Sequence, residues 1–173
     1  MGYVCEYGRA QTDRNEIIDM GDYSIMKLYS RLGNVIAETT IDSEDVERIL
    51  LHKWCLNDGY AYSRINGIGV FLHKYIIGLG GVIDHINRDK LDNRKSNLRP
   101  VTVQQNNMNK GPQRNNRLGI KGVSVEGPGY RAVIKFNRKT IILGHFDDPF
   151  SAAAAYNNAA VELFGEYAYL NAI

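Results

Sequence analysis

The 173-residue sequence has few of the features that mark secreted, membrane-spanning or fibrous proteins. Its two cysteines, Cys5 and Cys55, lie fifty positions apart without a CxxC pair, which indicates neither a disulfide framework nor a structural zinc knuckle. No window approaches the roughly 18 uninterrupted apolar residues of a membrane span. The first twenty residues carry charges where a signal peptide needs an apolar stretch. We therefore expect a chain with reduced thiols that stays in the cytoplasm where it is made.

Acidic residues are scarce in the middle of the chain. Residues 51–146 carry sixteen Lys and Arg against five Asp and Glu, a net charge of +11, whereas residues 1–50 have a net charge of −5 and residues 147–173 one of −4. A basic block of this length favours a polyanionic partner such as nucleic acid. A solvated basic surface without a partner is the alternative, and composition alone does not separate the two.

The composition, with 44% hydrophobic and 23% charged residues, is that of a folded globular protein. In the first half, apolar spacing predicts a capped helix from Ser43, and the single Trp54 is predicted to be a core aromatic. Alternating polar and apolar residues predict four short strands, at residues 23–29, 34–38, 60–63 and 70–72. Residues 82–110 are predicted to form a strand, a long polar loop, a short strand and a helix that begins with a capping box of Thr102 and Gln105.

A basic linker rich in Asn and Gly follows, and a second folded region comes after it. This region is predicted to contain three short strands and a final helix, which Asp148 caps and Gly165 ends. Phe150, Val161 and Phe164 are predicted to pack that helix on the sheet. The fold class is therefore α+β, and the predicted domain organisation is a strand-rich segment (1–40), a first domain (41–110), a basic linker (111–119) and a sheet–helix domain (120–173).

Asp84 and His85 form the most informative pair of polar residues, and Asn93, Asn97 and Asn106 follow them. Histidine has an ordinary pKa of about 6.5, which suits a general base that takes a proton from water. Asp84 offers an anionic oxygen and Asn106 a neutral one, a set of ligands that favours Mg²⁺ or Mn²⁺ over Zn²⁺. On spacing alone, turn chemistry and a surface histidine would be the commoner explanation.

The length of the pattern decides between these explanations. The segments LHKYIIG and VIDHINRDKLDNRKSNLRPVTVQQNNMNK, within residues 41–110, resemble the homing branch of the HNH endonuclease family, with the last histidine replaced by asparagine. The resemblance implies a ββα-metal site in which Asp84 and Asn106 hold one divalent ion against the scissile phosphate. It implies that His85 activates the attacking water.

The same resemblance implies supporting roles for other residues of the segment. Asn97 would bond across the loop backbone and orient the strand that carries His85, and Arg99 would contact a phosphate. His73 matches a histidine found just upstream in this branch, but the sequence assigns it no role.

The segments KGV, YRAVI and LGHF and the alanine-rich helix, over about residues 117–171, resemble the plant Apetala-type (ethylene-response-factor) DNA-binding domain. This resemblance implies a small three-stranded antiparallel sheet, packed on one helix, whose outer face lies in the major groove of double-stranded DNA. Where the plant domains place arginines and tryptophans, this chain has Ser124, Val133, Thr140 and Ile142, so the plant target sequence is not carried over. The predicted DNA contacts are the basic residues of this region and its linker: Arg114, Arg117, Lys121, Arg131, Lys135, Arg138 and Lys139.

Together these features predict a metal-dependent DNA endonuclease, encoded by a phage or another mobile element, with a nuclease module followed by a recognition module. A non-catalytic DNA-binding protein with a degenerate nuclease fold is the alternative, and a nonspecific or structure-specific nuclease is a third. The sequence leaves open the target site, the choice between nicking and double-strand cleavage, and the choice between monomer and dimer.

Overall fold

The computed structural model describes residues 13–78 and 80–173, so Cys5 lies outside the described residues. The fold is mixed, with several small antiparallel sheets and few helices, as expected for an α+β protein. It divides into two compact units, Met1–Val101 and Thr102–Ile173. Within the described residues, every helix is too short or too polar to span a lipid bilayer.

The first unit contains three small antiparallel sheets among its described residues, each formed by strands that follow one another in the chain. Two short helices separate these sheets along the chain. Its elements in chain order are β1 Ile17–Asp19, β2 Tyr23–Tyr29, β3 Val35–Asp42, α1 Val46–Ile49, β4 Cys55–Asn57, β5 Tyr60–Ile65, β6 Ile68–Phe71, α2 Leu72–Ile77, β7 Val82–His85 and β8 Leu98–Val101.

The core of the first unit follows the apolar alternation of the sequence. On β2 the buried positions alternate with partly exposed ones, so that Met26 and Leu28 point inward and are fully buried. Trp54 is 1% exposed, which confirms the prediction that it is a core aromatic. Its indole N–H donates to the carbonyl of Ile49 at 2.8 Å, and the side chain of buried Asn15 pairs with its backbone N–H and carbonyl at 2.8 and 2.9 Å.

Helix α2 was not predicted from the sequence. The run from Val70 was expected to remain a strand through Leu72, but the strand ends at Phe71 and Leu72 begins the helix. Leu72 and Ile76 lie one turn apart and both are buried, which is the pattern of a helix packed on a core. Six residues are too few for this period to stand out from a strand run in the sequence.

The long loop between β7 and β8 is held on the edge of β3. The backbone N–H of Thr40 donates to the carbonyl of Leu91, and the N–H of Asn93 donates to the carbonyl of Thr40, both at 2.8 Å. Within the loop, the carboxylate of Asp89 accepts the backbone N–H of Leu91 at 2.9 Å. A polar loop without periodicity therefore has a defined conformation, because its backbone groups have fixed partners.

The second unit consists of α3 Val103–Asn109, a three-stranded antiparallel sheet and the helix α4 Pro149–Phe164. Thr102 and Gln105 form the predicted capping box on α3, and the three predicted strands are present as β9 Val123–Glu126, β10 Gly129–Phe136 and β11 Lys139–Phe146. Helix α4 packs on this sheet through Ala152, Tyr156, Ala160 and Phe164. Phe150 and Val161 are 64% and 55% exposed, so the prediction that they fill this interface was wrong.

Strands β7 and β8 and helix α3 follow one another in the chain, in the order expected for a ββα motif. The division between the two compact units falls after Val101, which places α3 in the second unit. The ββα-metal arrangement and the predicted domain boundaries at residues 110 and 119 therefore stay predictions.

Candidate active site

His85 ends strand β7 and is buried, and so is its neighbour Asp84. Alternation along a strand predicts that these two side chains point in opposite directions. They have different partners accordingly: Asp84 binds the guanidinium of Arg99, and the ring of His85 lies against the amide of Asn93. The register of the β7–β8 hairpin sets the first pairing, because Asp84 lies directly opposite Arg99.

The imidazole of His85 is held by a side chain of the β7–β8 loop. Its Nε2 atom lies 3.2 Å from Oδ1 of Asn93, which is 1% exposed. Burial lowers the pKa of His85 below its usual value, although the hydrogen bond with Asn93 and the nearby Asp84 offset part of this effect. A histidine with a lowered pKa is neutral at pH 7, which is the state that a general base needs.

Aromatic rings surround His85 on the side of strands β5 and β6. The ring of His73 meets it edge to face at 5.1 Å between centroids, and the ring of Tyr60 lies at 6.0 Å. Phe71 stacks on His73 with an interplanar angle of 9°. Burial, His85 and Lys74 lower the pKa of His73 to about 4, so this ring is also neutral at pH 7.

Asn97 ties together the two ends of the loop that follows His85. Its amide Nδ2 donates to the carbonyl of Asp92 at 2.8 Å, and its Oδ1 accepts the backbone N–H of Asn87 at 2.9 Å. Its own carbonyl accepts the N–H of Ile86, the residue after His85, at 2.9 Å. Asn97 thus bonds across the loop backbone, and its predicted role in orienting the strand that carries His85 stays a prediction.

Arg99 forms an ion pair with Asp84. Its Nε and Nη2 atoms donate to Oδ2 of Asp84 at 3.1 and 3.0 Å, and the two side chains are 13% and 7% exposed. The sequence prediction that Arg99 contacts a phosphate did not include this ion pair. An arginine placed here holds the buried carboxylate of Asp84 in a fixed orientation.

The described residues offer few charged ligands for a metal ion near Asp84. Among the described residues, no three His, Cys, Asp or Glu side chains gather into a metal site. A divalent ion beside Asp84 would therefore have at most two ligands of these types and would draw the others from neutral amide oxygen, water or substrate phosphate. Mg²⁺ fits such a set, because it usually retains several waters and binds through one or two carboxylates. Asn106, the other predicted ligand, lies in the second unit and is half-buried on α3.

The predicted DNA contacts of the second unit fall into two groups. Arg131 is paired with Glu126 at 3.3 Å, and Glu126 also binds His145 at 2.8 Å. The ammonium of Lys121 donates to the backbone carbonyls of Asn107 and Met108 at 3.2 and 2.5 Å. The remaining basic side chains are exposed and form no ion pair with another described residue: Arg114, Arg117, Lys135, Arg138 and Lys139.

A groove of about 1150 Å³ runs along the second unit. Its walls come from α3, the linker, β9 and β10 and the inner face of α4, and its lining includes no Asp or Glu. The basic side chains of the lining are Lys110, Lys121, Lys135 and Arg138, and amides from Gln104, Asn107, Gln113, Asn116 and Asn137 lie between them.

The sequence did not identify two residues whose hydrogen bonds lead to His85. Asn93 was noted in the polar segment without a role, and Thr39 of β3 was not noted at all. Thr39 carries no local signal, because its contact with Asn93 joins residues 54 positions apart. A tertiary contact of that length is invisible to motif spacing.

Two comparisons with known proteins found a match for this chain. Residues 79–108, which include both strands of the β7–β8 hairpin, match a family model described as HNH endonuclease. The match includes Asp84, His85, Asn97 and Asn106 and covers none of the sheet of the second unit. The chain is also 34% identical over 173 residues to an "uncharacterized HNH endonuclease" of Acanthamoeba polyphaga mimivirus, an alignment that spans 95% of this chain and 88% of the viral protein. No solved structure matches the chain. On the extent of the viral alignment, the chain belongs to the HNH endonuclease family.

Proposed function

We propose that the protein is a metal-dependent DNA endonuclease of the homing or mobile-element type, with His85 as general base and one divalent ion. The observation that supports this most is the buried imidazole of His85, kept neutral by burial and held by Asn93, on the residue that follows Asp84 in strand β7. In the proposed reaction, His85 takes a proton from water, the water oxygen attacks phosphorus, the bond to the 3′ oxygen breaks, and that oxygen takes a proton from solvent.

Asp84 and Asn106 would hold the ion, which we propose to be Mg²⁺ or Mn²⁺. When bound, such an ion stabilises negative charge on the departing 3′ oxygen. Asn97 would keep the loop after His85 in place through its bonds to Asp92 and Asn87. General-base action supplies about 10²- to 10⁴-fold, so charge stabilisation and positioning must supply the rest of the rate enhancement.

The second unit would bind double-stranded DNA. Its acid-free groove, with Lys135 and Arg138 exposed and outside any ion pair in the described residues, supports a phosphate-binding role. Arg114, Arg117 and Lys139 would add to this basic surface, whereas Lys121 and Arg131 are already engaged within the unit. The proposal that this unit is an Apetala-type DNA reader depends on its sequence segments and on its sheet packed against one helix. The viral origin of the relative supports a mobile element as the source, acting on DNA inside the cell.

The ion pair between Arg99 and Asp84 favours a second candidate, a DNA-binding protein with an inactive nuclease fold. The guanidinium of Arg99 already supplies positive charge to the carboxylate that would bind the metal ion. In this candidate, Arg99 replaces the ion permanently and the protein binds DNA without cutting it.

Cleavage of supercoiled plasmid separates the two candidates. We expect nicked or linear product with Mg²⁺ or Mn²⁺, no product with EDTA, and a loss of at least about 100-fold in rate for His85→Ala with unchanged DNA affinity. His52→Ala, which removes a partly exposed histidine of the first unit, serves as the matched control and should cut normally. Cleavage in EDTA, or full activity of His85→Ala, would refute the proposed mechanism. Tight DNA binding without any cleavage would identify the second candidate.

A further inference from the structure

A buried chain of hydrogen bonds leads away from His85 into strand β3. Nε2 of His85 lies 3.2 Å from Oδ1 of Asn93, Nδ2 of Asn93 donates to Oγ1 of Thr39 at 2.8 Å, and the Thr39 hydroxyl donates to the carbonyl of Leu91 at 2.7 Å. The side chains of Asn93 and Thr39 are each 1% exposed and His85 is 6% exposed. Bulk water therefore does not compete for these bonds.

The donor and acceptor of every hydrogen bond in this series follow from its last acceptor, the carbonyl of Leu91. A backbone carbonyl only accepts, so the Thr39 hydroxyl gives its proton to Leu91 and its oxygen must accept from Asn93. Only the amide nitrogen of Asn93 can donate to it, and the same nitrogen donates to the carbonyl of Lys90 at 3.4 Å. The amide oxygen of Asn93 consequently faces His85. Because that oxygen only accepts, Nε2 of His85 must carry the hydrogen.

We propose that Thr39 and Asn93 are positioning residues that hold His85 in the tautomer with hydrogen on Nε2, so that Nδ1 carries the lone pair that takes the proton from water. This inference rests on the proposed function of His85 as base. A base with the wrong tautomer presents an N–H to the water instead of a lone pair, and tautomer control by a hydrogen-bonded neighbour is a recognised requirement in other histidine catalysts. Strand β3 thereby contributes to the active site although it lies outside the matched segment.

The direct test is the protonation pattern of the His85 ring, read by nitrogen-15 NMR of histidine-labelled protein at pH 8, with His85→Gln used to assign the signal. We expect wild-type His85 to be in a single tautomer, with an unprotonated Nδ1 and a slowly exchanging Nε2–H proton. In Thr39→Val, which keeps nearly the same volume but lacks the hydroxyl, the Nε2–H proton should exchange rapidly and the second tautomer should appear. Thr39→Ser, which keeps the hydroxyl, should look like wild type.

Cleavage gives an independent measurement on the same variants. Thr39→Val and Asn93→Ala should lower kcat by about 10- to 100-fold, the usual cost of losing an outer hydrogen-bond partner, while KM for DNA stays within about twofold. Thr39→Ser should restore kcat. Trp54 fluorescence checks that each variant is folded.

Three outcomes would overturn the inference: a wild-type spectrum with hydrogen on Nδ1, a Thr39→Val spectrum identical to wild type, or a loss of activity in Thr39→Val that Thr39→Ser shares. The wild-type spectrum requires no cleavage, and its assignment requires only that His85→Gln folds. If the wild-type protein fails to cut DNA under any condition but shows the expected tautomer, the proposed function is refuted. The inference that Thr39 and Asn93 fix the tautomer of His85 would still hold.

Discussion

Arg99→Ala should strongly destabilise the first unit, because it removes the guanidinium from a carboxylate that stays buried. Arg99 and Asp84 are 13% and 7% exposed, and two N–H groups of Arg99 donate to the same carboxylate oxygen. Removing one partner of a buried ion pair typically costs about 3–5 kcal/mol. Since water reaches part of the Arg99 side chain, we expect a loss near the lower limit, about 3 kcal/mol of unfolding free energy.

The single tryptophan makes this loss measurable in the intact protein. Trp54 lies in the core of the first unit, so its fluorescence in urea follows the unfolding of that unit. With an m value of about 1.5 kcal/mol per M, a loss of about 3 kcal/mol lowers the urea midpoint by about 2 M. Lys27→Ala is the matched control, because it removes a cation from an ion pair with the exposed side chain of Glu16 in the same unit and should leave the midpoint almost unchanged.

Mg²⁺ extends the same experiment to the proposed metal site. If Asp84 is a metal ligand, the ion binds the folded state of Arg99→Ala without displacing a guanidinium, and a hundredfold excess over Kd restores about 2.7 kcal/mol. Wild-type protein should gain less, because its arginine competes for the carboxylate. An Arg99→Ala midpoint equal to that of wild type would show that the ion pair contributes nothing. A midpoint that Mg²⁺ does not raise would remove Asp84 from the metal site.

Three further predictions concern other parts of the molecule. Replacing both Lys135 and Arg138 by Ala should reduce the slope of log Kd for DNA against log salt by about 2, measured by fluorescence anisotropy, because two phosphate contacts are lost. The first unit should lose stability as pH falls from about 6.5 to about 4, because the pKa of His73 is lowered to about 4 in the folded state. In that range protons bind preferentially to the unfolded chain. The urea midpoint followed by Trp54 fluorescence should therefore depend less on pH in His73→Phe than in wild type. Gly122→Ala should lower the unfolding free energy of the second unit by about 2–4 kcal/mol, because φ is +78° and an added Cβ would clash with the Tyr156 ring. Gly127→Ala is the control: φ is +59° but the space around it is open, so it should cost about 1–2 kcal/mol. Unfolding followed by the circular dichroism of the tyrosines measures both losses.

Local signals in the sequence correctly predicted where helices α3 and α4 begin. Thr102 and Gln105 are three residues apart and bond each other, and Asp148 accepts the N–H groups of Phe150 and Ser151. Such caps need only a few neighbouring residues, so their chemistry can be read without knowing the fold. The three strands of the second unit were predicted for the same reason, since Gly and Asn mark the turns between them.

Contacts that depend on distant pairing were not predicted. The ion pair of Arg99 with Asp84 follows from the register of a hairpin whose long loop leaves that register open in the sequence. The contact of Thr39 with Asn93 follows from the loop lying on the edge of β3. Phe150 points to solvent although it is apolar, because the packing of a helix on a sheet, and not composition, decides which of its faces is buried.

Helix α3, which carries Asn106, is held in place by residues of the second unit that follow it in the chain. Because of this, deleting those residues cannot separate DNA recognition from catalysis. Helix α3 has seven residues, far fewer than an isolated helix needs to be stable in water. Lys121 donates to two carbonyls near its end, the N–H of Tyr169 donates to the carbonyl of Met108 at 3.3 Å, and the Met108 side chain packs in the core with Phe164. Deleting residues 117–173 would remove all of these supports. A truncated protein that no longer cuts DNA would therefore report the loss of α3, and only point variants that leave this packing intact can test DNA recognition apart from catalysis.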